Sequence, residues 1–497
     1  MTRYPRFRRL FSRLGFLLMC LWITGCSITT PQSSLDPKGP VAQKQLELFM
    51  ITVWVCTLIF VLVGGALVWV VWRFREKPGD ENKPMPSQGH GNPLIEIGLI
   101  GASIAFLVVI AVPTLRAIWF THDLPEDQPY YQESKLGAYM DRGLISPEEK
   151  DNVLEITVRG WQWWFSFEYP QLGITTANEF VIPKGKVVKF NLRGYDVIHS
   201  FWLPKLGGKV DIVPGRKNWM WLMAEEEGYY FGQCAEYCGE AHAYMLFRAE
   251  VVSDEEFNDW IASYKEGAPA PAGFQMEPTD ETPEPTNQDN WMAWSMANAK
   301  DPQSLLTGDP SKDAITAGAQ HFFGKGKCMV CHAIDGSPAA GPSAPNLTKL
   351  GERKSIAAGI LNQYTEDGGL DAEKQRENIF EWISKSHFYK PGNLMYERMD
   401  AGLIDYKYSG LTYGAMSEIG LTDKDLTSAG VSKEQLAELK EDPNAAITAV
   451  VSNQLTLRHI VERIEDNPEM MDKLASVSGW LTQKEFHELT AFLQSLK

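Results

Sequence analysis

Hydrophobic positions along the chain fall into runs of changing rhythm. An apolar stretch at 14–23 follows five arginines and no acidic residue, which is the order of a secretory signal. Two longer runs come next, 48–72 without any charge and 97–115. The first is long enough to cross a bilayer as a helix and the second is near the minimum length. Between them stand Arg73, Arg75, Lys77 and Lys83, the cationic bias of a cytoplasmic turn, so a transmembrane hairpin is predicted over 45–120 with both ends facing outward. From 152 to about 262 the pattern shortens to alternating runs such as VLEITVRG, EFVIPKGKVVKFNLRG, KNWMWLMA and MLFRAEVV, broken by Gly and Pro. That is the signature of an all-β sandwich or barrel, placed at 121–265. The stretch 266–300 is acidic, rich in Pro and without apolar period, and is expected to be a solvated tether. Beyond it the spacing turns helical at 312–325, 372–384 and 482–497, predicting a multidomain chain that ends in an all-α domain over 301–497.

Composition narrows the classes. In 497 residues, 44% are hydrophobic and 22% charged, which excludes a disordered or collagen-like chain. A net charge of −16 repels nucleic acid and suits a partner with a basic face. The cysteines stand at 20, 26, 56, 234, 238, 328 and 331, an odd number that fits no simple disulfide framework. Cys20 and Cys56 lie in apolar segments and read as small buried residues. Cys26 follows Ile-Thr-Gly at the end of the leader, as in a bacterial lipoprotein processing box, so 1–25 is expected to be removed and Cys26 acylated; an uncleaved leader with a chance cysteine is the alternative. Glu96 heads the second apolar run, where a lone carboxylate is costly unless hydrated or functional. Its chemistry alone favours hydration at the membrane surface.

The segment GYYFGQCAEYCGEAHAYMLF gathers Cys234, Glu236, Cys238, His242 and Met245, and His199 comes from an earlier turn, DVIHSFWLP. Two thiolates, two imidazoles and a thioether form a soft set that selects copper over magnesium, calcium or manganese. With one cysteine the site would be mononuclear; two, four residues apart, can each bridge a pair of metal ions. A plain disulfide and structural zinc are the alternatives, and neither needs Met245.

Further on, Cys328-Met-Val-Cys331-His332 has the C-x-x-C-H pattern that attaches a c-type haem through two thioethers, with His332 as proximal iron ligand. A thioredoxin-like redox pair is the alternative, disfavoured by the following His and the helical surroundings. Met395, Met399, Met416, Met470 and Met471 lie downstream as candidates for the second axial ligand of an electron-transfer haem.

Together, C-A-E-Y-C-G-E-A-H-A-Y-M and the helix pair ahead of a β-domain resemble subunit II of cytochrome c oxidase over about residues 46–262. The resemblance implies a cupredoxin-like fold carrying the dinuclear copper centre CuA, with ligands His199, Cys234, Cys238, His242 and Met245 and the carbonyl of Glu236. It also implies a magnesium ion shared with subunit I and held by the Glu236 carboxylate, with Asp211 of GGKVDIVPGR nearby. In RGWQWWFSFEY, the resemblance makes Trp163 the surface point at which electrons arrive, while Trp161, Trp164 and Phe165 read as core. Glu96 resembles the acid at the mouth of a proton pathway into subunit I. KPGNLM, GPSAPNL and GERKSIAAG resemble the cytochromes fused to this subunit in caa3-type haem–copper oxidases, and imply Met395 as axial ligand with Met399 as runner-up.

The departure from that family is length. About 396–480 intervenes before the final helix, more than an unstructured loop should carry, and reads as a capping or partner-docking insert. The implied function is an electron relay in a proton-translocating oxidase of the bacterial cytoplasmic membrane, from a donor cytochrome c or a cytochrome bc-type or alternative complex, through haem c and CuA, to subunit I, with subunit III as a further partner. A nitric-oxide reductase subunit with the same centres and a free-standing lipid-anchored carrier are the rivals; Glu96 and Asp211 speak against the first, the two membrane runs against the second.

Overall fold

A computed structural model describes residues 29–75, 89, 91–140, 143–266, 309–337, 339–365, 368–393, 395, 412–444, 447–451, 454–470, 472–473, 481 and 483–497. The leader with Cys20 and Cys26, Lys77, Lys83, the tether after residue 266, Met399 and Met471 lie outside them. The chain forms two compact units.

The first unit holds helices α1 (Pro40–Phe74) and α2 (Pro93–His122, as far as Phe120). Both exceed the runs that predicted them, because amphipathic turns extend each apolar stretch. Each has a mean hydropathy of 2.5 over its most apolar window, none of it buried in protein, which is the dress of a helix solvated by hydrocarbon. Cys56, expected to be buried, is exposed on α1: the helix has too few protein neighbours there to cover it. Leu203–Gly208 belongs to the same unit. Its Lys205 and Leu206 carbonyls accept the amides of Lys38 and Ala42 at 2.7 and 3.1 Å, and Lys205 pairs with Asp36 at 2.7 Å, so the orphan donors at the head of α1 are satisfied.

The second unit opens with the β-sandwich. Strands β1 (Leu154–Trp161), β2 (Trp164–Tyr169), β3 (Ile174–Ala177), β4 (Glu179–Pro183), β5 (Val188–Gly194), β6 (His199–Trp202), β7 (Lys209–Ile212), β8 (Asn218–Leu222), β9 (Gly228–Cys234) and β10 (Leu246–Val252) make two five-stranded sheets, ordered β3-β2-β1-β5-β8 and β4-β10-β9-β6-β7. Strict alternation of buried and partly exposed positions in β1 is the period-two pattern of a strand with one face inside. The inner faces meet in Phe165, Phe167, Phe180, Phe190, Phe201 and Phe247, none more than 1% exposed. Phe201 and Phe247 stack at 4.8 Å, and rings so buried each contribute about 1.5–3 kcal/mol through the water they displace. The all-β reading missed helical segments: short turns at Pro129–Glu133, Leu136–Tyr139 and His242–Tyr244, and α3 (Asp254–Glu266), which closes the domain. Asp254, Glu255 and Glu256 occupy its first turn and Phe257, Ile261 and Tyr264 its buried face, a helix start favoured by the macrodipole and a stripe at helical spacing.

Past the tether the elements are helical apart from one small antiparallel ribbon, Ser355–Ile356 with Leu361–Asn362, which the all-α expectation did not include. α4 (Pro310–Phe323), α5 (Ala372–Tyr389) and α10 (Gln483–Gln494) fall where the periodicity put them. Within the insert are α6 (Tyr413–Ile419), α7 (Asp423–Ala429), α8 (Lys433–Glu441) and α9 (Gln454–Glu465). Thr412, Thr422 and Ser432, ten residues apart in sequence, cap α6, α7 and α8 through their hydroxyls. Met416, Leu426, Leu439 and Ile460 of the insert share one apolar core with Phe322, Ile379 and Phe492, so the insert packs as part of the helical domain.

A polar seam joins sandwich and helices. Glu179 on β4 accepts hydrogen bonds from Ser355 Oγ at 2.5 Å, Tyr229 OH at 2.6 Å and the Lys354 amide at 3.1 Å. Arg248 on β10, 3% exposed, donates to the Gly359 carbonyl at 2.7 Å, and Lys354 pairs with Glu250 at 2.7 Å. Burial pushes the Glu179 carboxyl up, and the bonds from Ser355 and Tyr229 restrain the shift. Charges this enclosed are tolerated only when hydrogen-bonded on several sides.

Candidate metal centre and the adjoining cavity

β6 begins at His199 and its neighbour β9 ends at Cys234, so the sheet brings together residues distant in sequence. The loop after β9 carries Glu236 and Cys238 and runs into the one-turn helix His242–Tyr244 and then Met245. The sulfurs of Cys234 and Cys238 are 3.8 Å apart and neither cysteine is in a disulfide; a bond would need about 2.05 Å. His199 Nδ1 lies 4.0 Å from Cys234 Sγ, His242 Nδ1 3.5 Å from Cys238 Sγ, and Met245 Sδ 3.8 Å from Cys238 Sγ. The Glu236 carbonyl is 3.3 Å from Cys234 Sγ. His199, Cys234 and Cys238 alone set their ligand atoms within 4.8 Å of one another. All six predicted donors therefore converge, and a buried thioether beside two thiols and two imidazoles suits copper and is surplus to a zinc site.

Electrostatics prepare the donors. The two thiols share one hydrogen bond and titrate as a pair: Cys238 holds the Cys234 thiol well below its ordinary value against the effect of burial, while Cys234 together with burial pushes Cys238 up. Asp196, which the sequence reading passed over, accepts from His199 Nε2 at 2.8 Å and from the amides of Gln162 and Val197 at 2.6 and 2.7 Å. Burial alone would lower the His199 pKa, but Asp196 and Cys234 outweigh it and leave it raised. A carboxylate behind a ligating imidazole fixes its ring and tautomer, so that Nδ1 faces the thiols. The spacing Asp-x-x-His was the available signal.

Asp211 and Glu236 both have exposed side chains. They are held near one another through β6: Asp211 is opposite Ser200 in register, and the Ser200 carbonyl takes the Ala235 amide at 3.3 Å. Glu96 is exposed in the first turn of α2.

In the helical domain, Cys328, Cys331, His332 and Met395 all line one cavity of ≈ 930 Å³. Cys328 and Cys331 are not in disulfides, and burial raises the Cys328 thiol to about 12. His332 Nδ1 is 2.7 Å from the Pro345 carbonyl. A carbonyl only accepts, so Nδ1 carries the proton and Nε2 keeps its lone pair. Burial lowers the His332 pKa, keeping the ring neutral. Met416 is fully buried in the apolar core of the insert and does not line the cavity.

Trp163, from the β-sandwich, also lines that cavity. The sequence placed this indole at the surface; it is 9% exposed, because the helical domain covers it. Its Nε1 donates to the Cys238 carbonyl at 2.9 Å, beside Gln162 Nε2, which donates to the same oxygen at 2.8 Å. On the other side, Lys390 Nζ donates to the Trp163 carbonyl. Lys390 is 3% exposed, and burial pulls its ammonium down to about 7. Of the residues assigned to the core, Phe165 is buried, whereas Trp161 and Trp164 are half-exposed and stack on each other at 5.9 Å, with Trp161 also on Tyr195 at 4.5 Å.

Comparison with known proteins bears on the same residues. The family described as "Cytochrome C oxidase subunit II, periplasmic domain" matches residues 171–252, the span holding every predicted copper donor. Cytochrome c oxidase subunit 2 of Alkalihalophilus pseudofirmus is 33% identical over 385 residues, covering 78% of this chain and 90% of the relative. The corresponding subunit of Bacillus sp. (strain PS3) is 31% identical over 396 residues, covering 78% and 91%. Among solved structures, the periplasmic domain of subunit II of the Bradyrhizobium japonicum cytochrome oxidase is 37% identical, covers 23% of this chain and 94% of that one, and gives a TM-score of 0.22. Two apolar helices, a sandwich with a His/Cys/Cys site, and identity that extends through most of the chain agree on one assignment: the protein belongs to the cytochrome c oxidase subunit II family and is a subunit of that oxidase.

Proposed function

We propose that this chain is the electron-input subunit of a proton-translocating, caa3-type cytochrome c oxidase, with a c-type cytochrome domain at 301–497 fused behind a CuA domain at 121–265. The reading is carried by Trp163, which lines the cavity of Cys328, Cys331, His332 and Met395 while its indole nitrogen lies 2.9 Å from the carbonyl of Cys238. When bound, the copper pair and the haem supply one-electron carriers.

His199, Cys234, Cys238, His242, Met245 and the Glu236 carbonyl would hold the copper pair. Their support is the clustering of soft donors and the absence of a disulfide between two sulfurs at 3.8 Å. Cys328 and Cys331 would bind the haem covalently. His332 would ligate iron through Nε2, its ring fixed by the Pro345 carbonyl, and Met395, which lines the same cavity, would supply a second iron ligand. A volume of ≈ 930 Å³ is within the usual range for a cofactor pocket. The carboxylate of Glu236, with Asp211 nearby, would hold a magnesium ion shared with subunit I.

The two helices, each with a long charge-free run, anchor the subunit in the bacterial cytoplasmic membrane, Glu96 receives protons at the inner mouth of a path into subunit I, and Cys26 bears a lipid. Subunits I and III are the oxidase partners. The donor is a cytochrome c or a cytochrome bc-type or alternative complex, and the net charge of −16 steers a basic one. Purifying the membrane complex in mild detergent and measuring copper, haem types and oxygen uptake with reduced cytochrome c tests this reading. Copper, haem c and a catalytic haem–copper subunit should copurify. A preparation lacking the catalytic subunit sinks it.

A further inference from the structure

The turn Lys390-Pro391-Gly392-Asn393 ends α5 and leads to Met395. It is internally braced: the Lys390 amide donates to the Ser386 carbonyl at 3.0 Å, and Asn393 Nδ2 donates to the Lys390 carbonyl at 2.7 Å. Two of its residues reach into the copper domain, and both touch Trp163. Lys390 donates to the Trp163 carbonyl. Gly392, at φ +72°, leaves so little room that a Cβ there would stand 3.2 Å from Trp163 Cη2 and 2.8 Å from Glu240 Oε2. Gly239 of the copper loop, at φ +117°, is as close: a Cβ would be 3.0 Å from Trp163 Cζ2. The indole is thus wedged against two glycines, one on the copper-ligand loop and one on the loop of Met395, with hydrogen bonds at its ring nitrogen and at the main-chain carbonyl of Trp163.

Lys390 is the expensive part of this arrangement. A lysine 3% exposed has lost its hydration, and among the described residues no carboxylate pairs with it. Burying an ammonium on a main-chain carbonyl is unfavourable in itself, and any extended apolar side chain would fill the same space. What the amine adds is direction: it ties the backbone of Trp163, on one domain, to the turn beside Met395, on the other.

We propose that Lys390 is a positioning residue, which with Gly392 and Gly239 locks Trp163 in one pose between the cavity of the helical domain and the Cys238 peptide. The lock is read from the geometry; its consequence for electron transfer rests on the proposed haem site. Sequence of contacts gives the path its shape: cavity wall, indole, indole N–H, Cys238 carbonyl, and Cys238 itself. With a haem held in the cavity and copper held at the Cys238 loop, an electron passing from one to the other would find this chain's own contacts as its bridge, with no bond made or broken.

The test uses the full oxidase complex carrying Lys390→Met, which keeps length and removes the donor, Lys390→Gln, which restores a shorter donor, and Gly392→Ala. Three quantities are followed: hydrogen exchange of the backbone over 160–166, the absorption bands of haem and copper, and the rate of haem-to-copper equilibration after photoreduction. Loss of one hydrogen bond should raise exchange over 160–166 about fivefold to tenfold and slow equilibration, with both bands unchanged. Gln should recover part of each effect, and Gly392→Ala should reproduce them even if Lys390→Met does not assemble. Unchanged exchange and equilibration in Lys390→Met and Gly392→Ala, with both bands intact, overturns the proposal. A wild-type complex without a haem band would defeat the haem reading instead, and exchange alone would then decide whether the lock exists.

Discussion

Trp163 donates its indole proton to the main-chain oxygen of Cys238 at 2.9 Å, so a residue forming the wall of one domain's cavity is bonded to a copper-type donor of the other. Replacing it tests how much of the coupling this bond carries. Trp163→Phe keeps an aromatic ring in the wedge and removes the N–H, a loss of about 1 kcal/mol. Copper and haem content should stay at the wild-type level while equilibration between the centres, followed optically after photoreduction, becomes slower. Equal rates would remove Trp163 from the route.

Asp196 stands behind His199 at 2.8 Å. Asp196→Asn keeps an acceptor but withdraws the charge that holds the imidazole raised and oriented. Copper affinity should fall about 10- to 100-fold, the usual effect of losing such a partner, as read by competition with a chelator, with little change in the β-sandwich by circular dichroism.

Glu179 gives the seam a pH dependence. Burial raises its folded pKa above the unfolded value of 4.5, so the folded state binds the proton more tightly. Its contribution is therefore fully present below about pH 4.5 and is lost as pH rises through the folded pKa. Glu179→Gln imitates the protonated form and should flatten that slope, measured as urea stability against pH; an unchanged slope would place the titration elsewhere.

In the insert, Thr422 and Asp425 form a reciprocal capping box at the head of α7. Thr422→Ala should cost about 0.5–2 kcal/mol, seen as faster hydrogen exchange over 423–429, with exchange over 160–166 and copper content unaffected. An effect on copper would show that the insert acts on the sandwich.

The sequence made some of this legible and hid the rest for identifiable reasons. Charge-free runs announced α1 and α2, alternation announced β1 and β10, and ligand chemistry singled out Cys234, Cys238, His242, Met245 and His199, which the β6–β9 pairing then brings together. Periodicity missed α3 because its buried face, Phe257, Ile261 and Tyr264, is short and set among charges beside the last strand. Trp163 was placed at the surface because resemblance describes the copper domain by itself; its cover comes from a turn 227 residues away. No motif or spacing in the chain singles out Glu179, Arg248 or Lys390. Only the seam between domains, which follows no repeat in the chain, makes them buried.

If the proposed haem and copper centres share one chain, electrons pass between them without leaving it. Rapid photoreduction of the haem in the purified, oxygen-free complex, followed at the haem and copper bands, tests it most directly. Haem reoxidation and copper reduction should occur together, at a rate independent of protein concentration. Copper reduction that lags haem reoxidation, or scales with the concentration of complex or added cytochrome c, would contradict it.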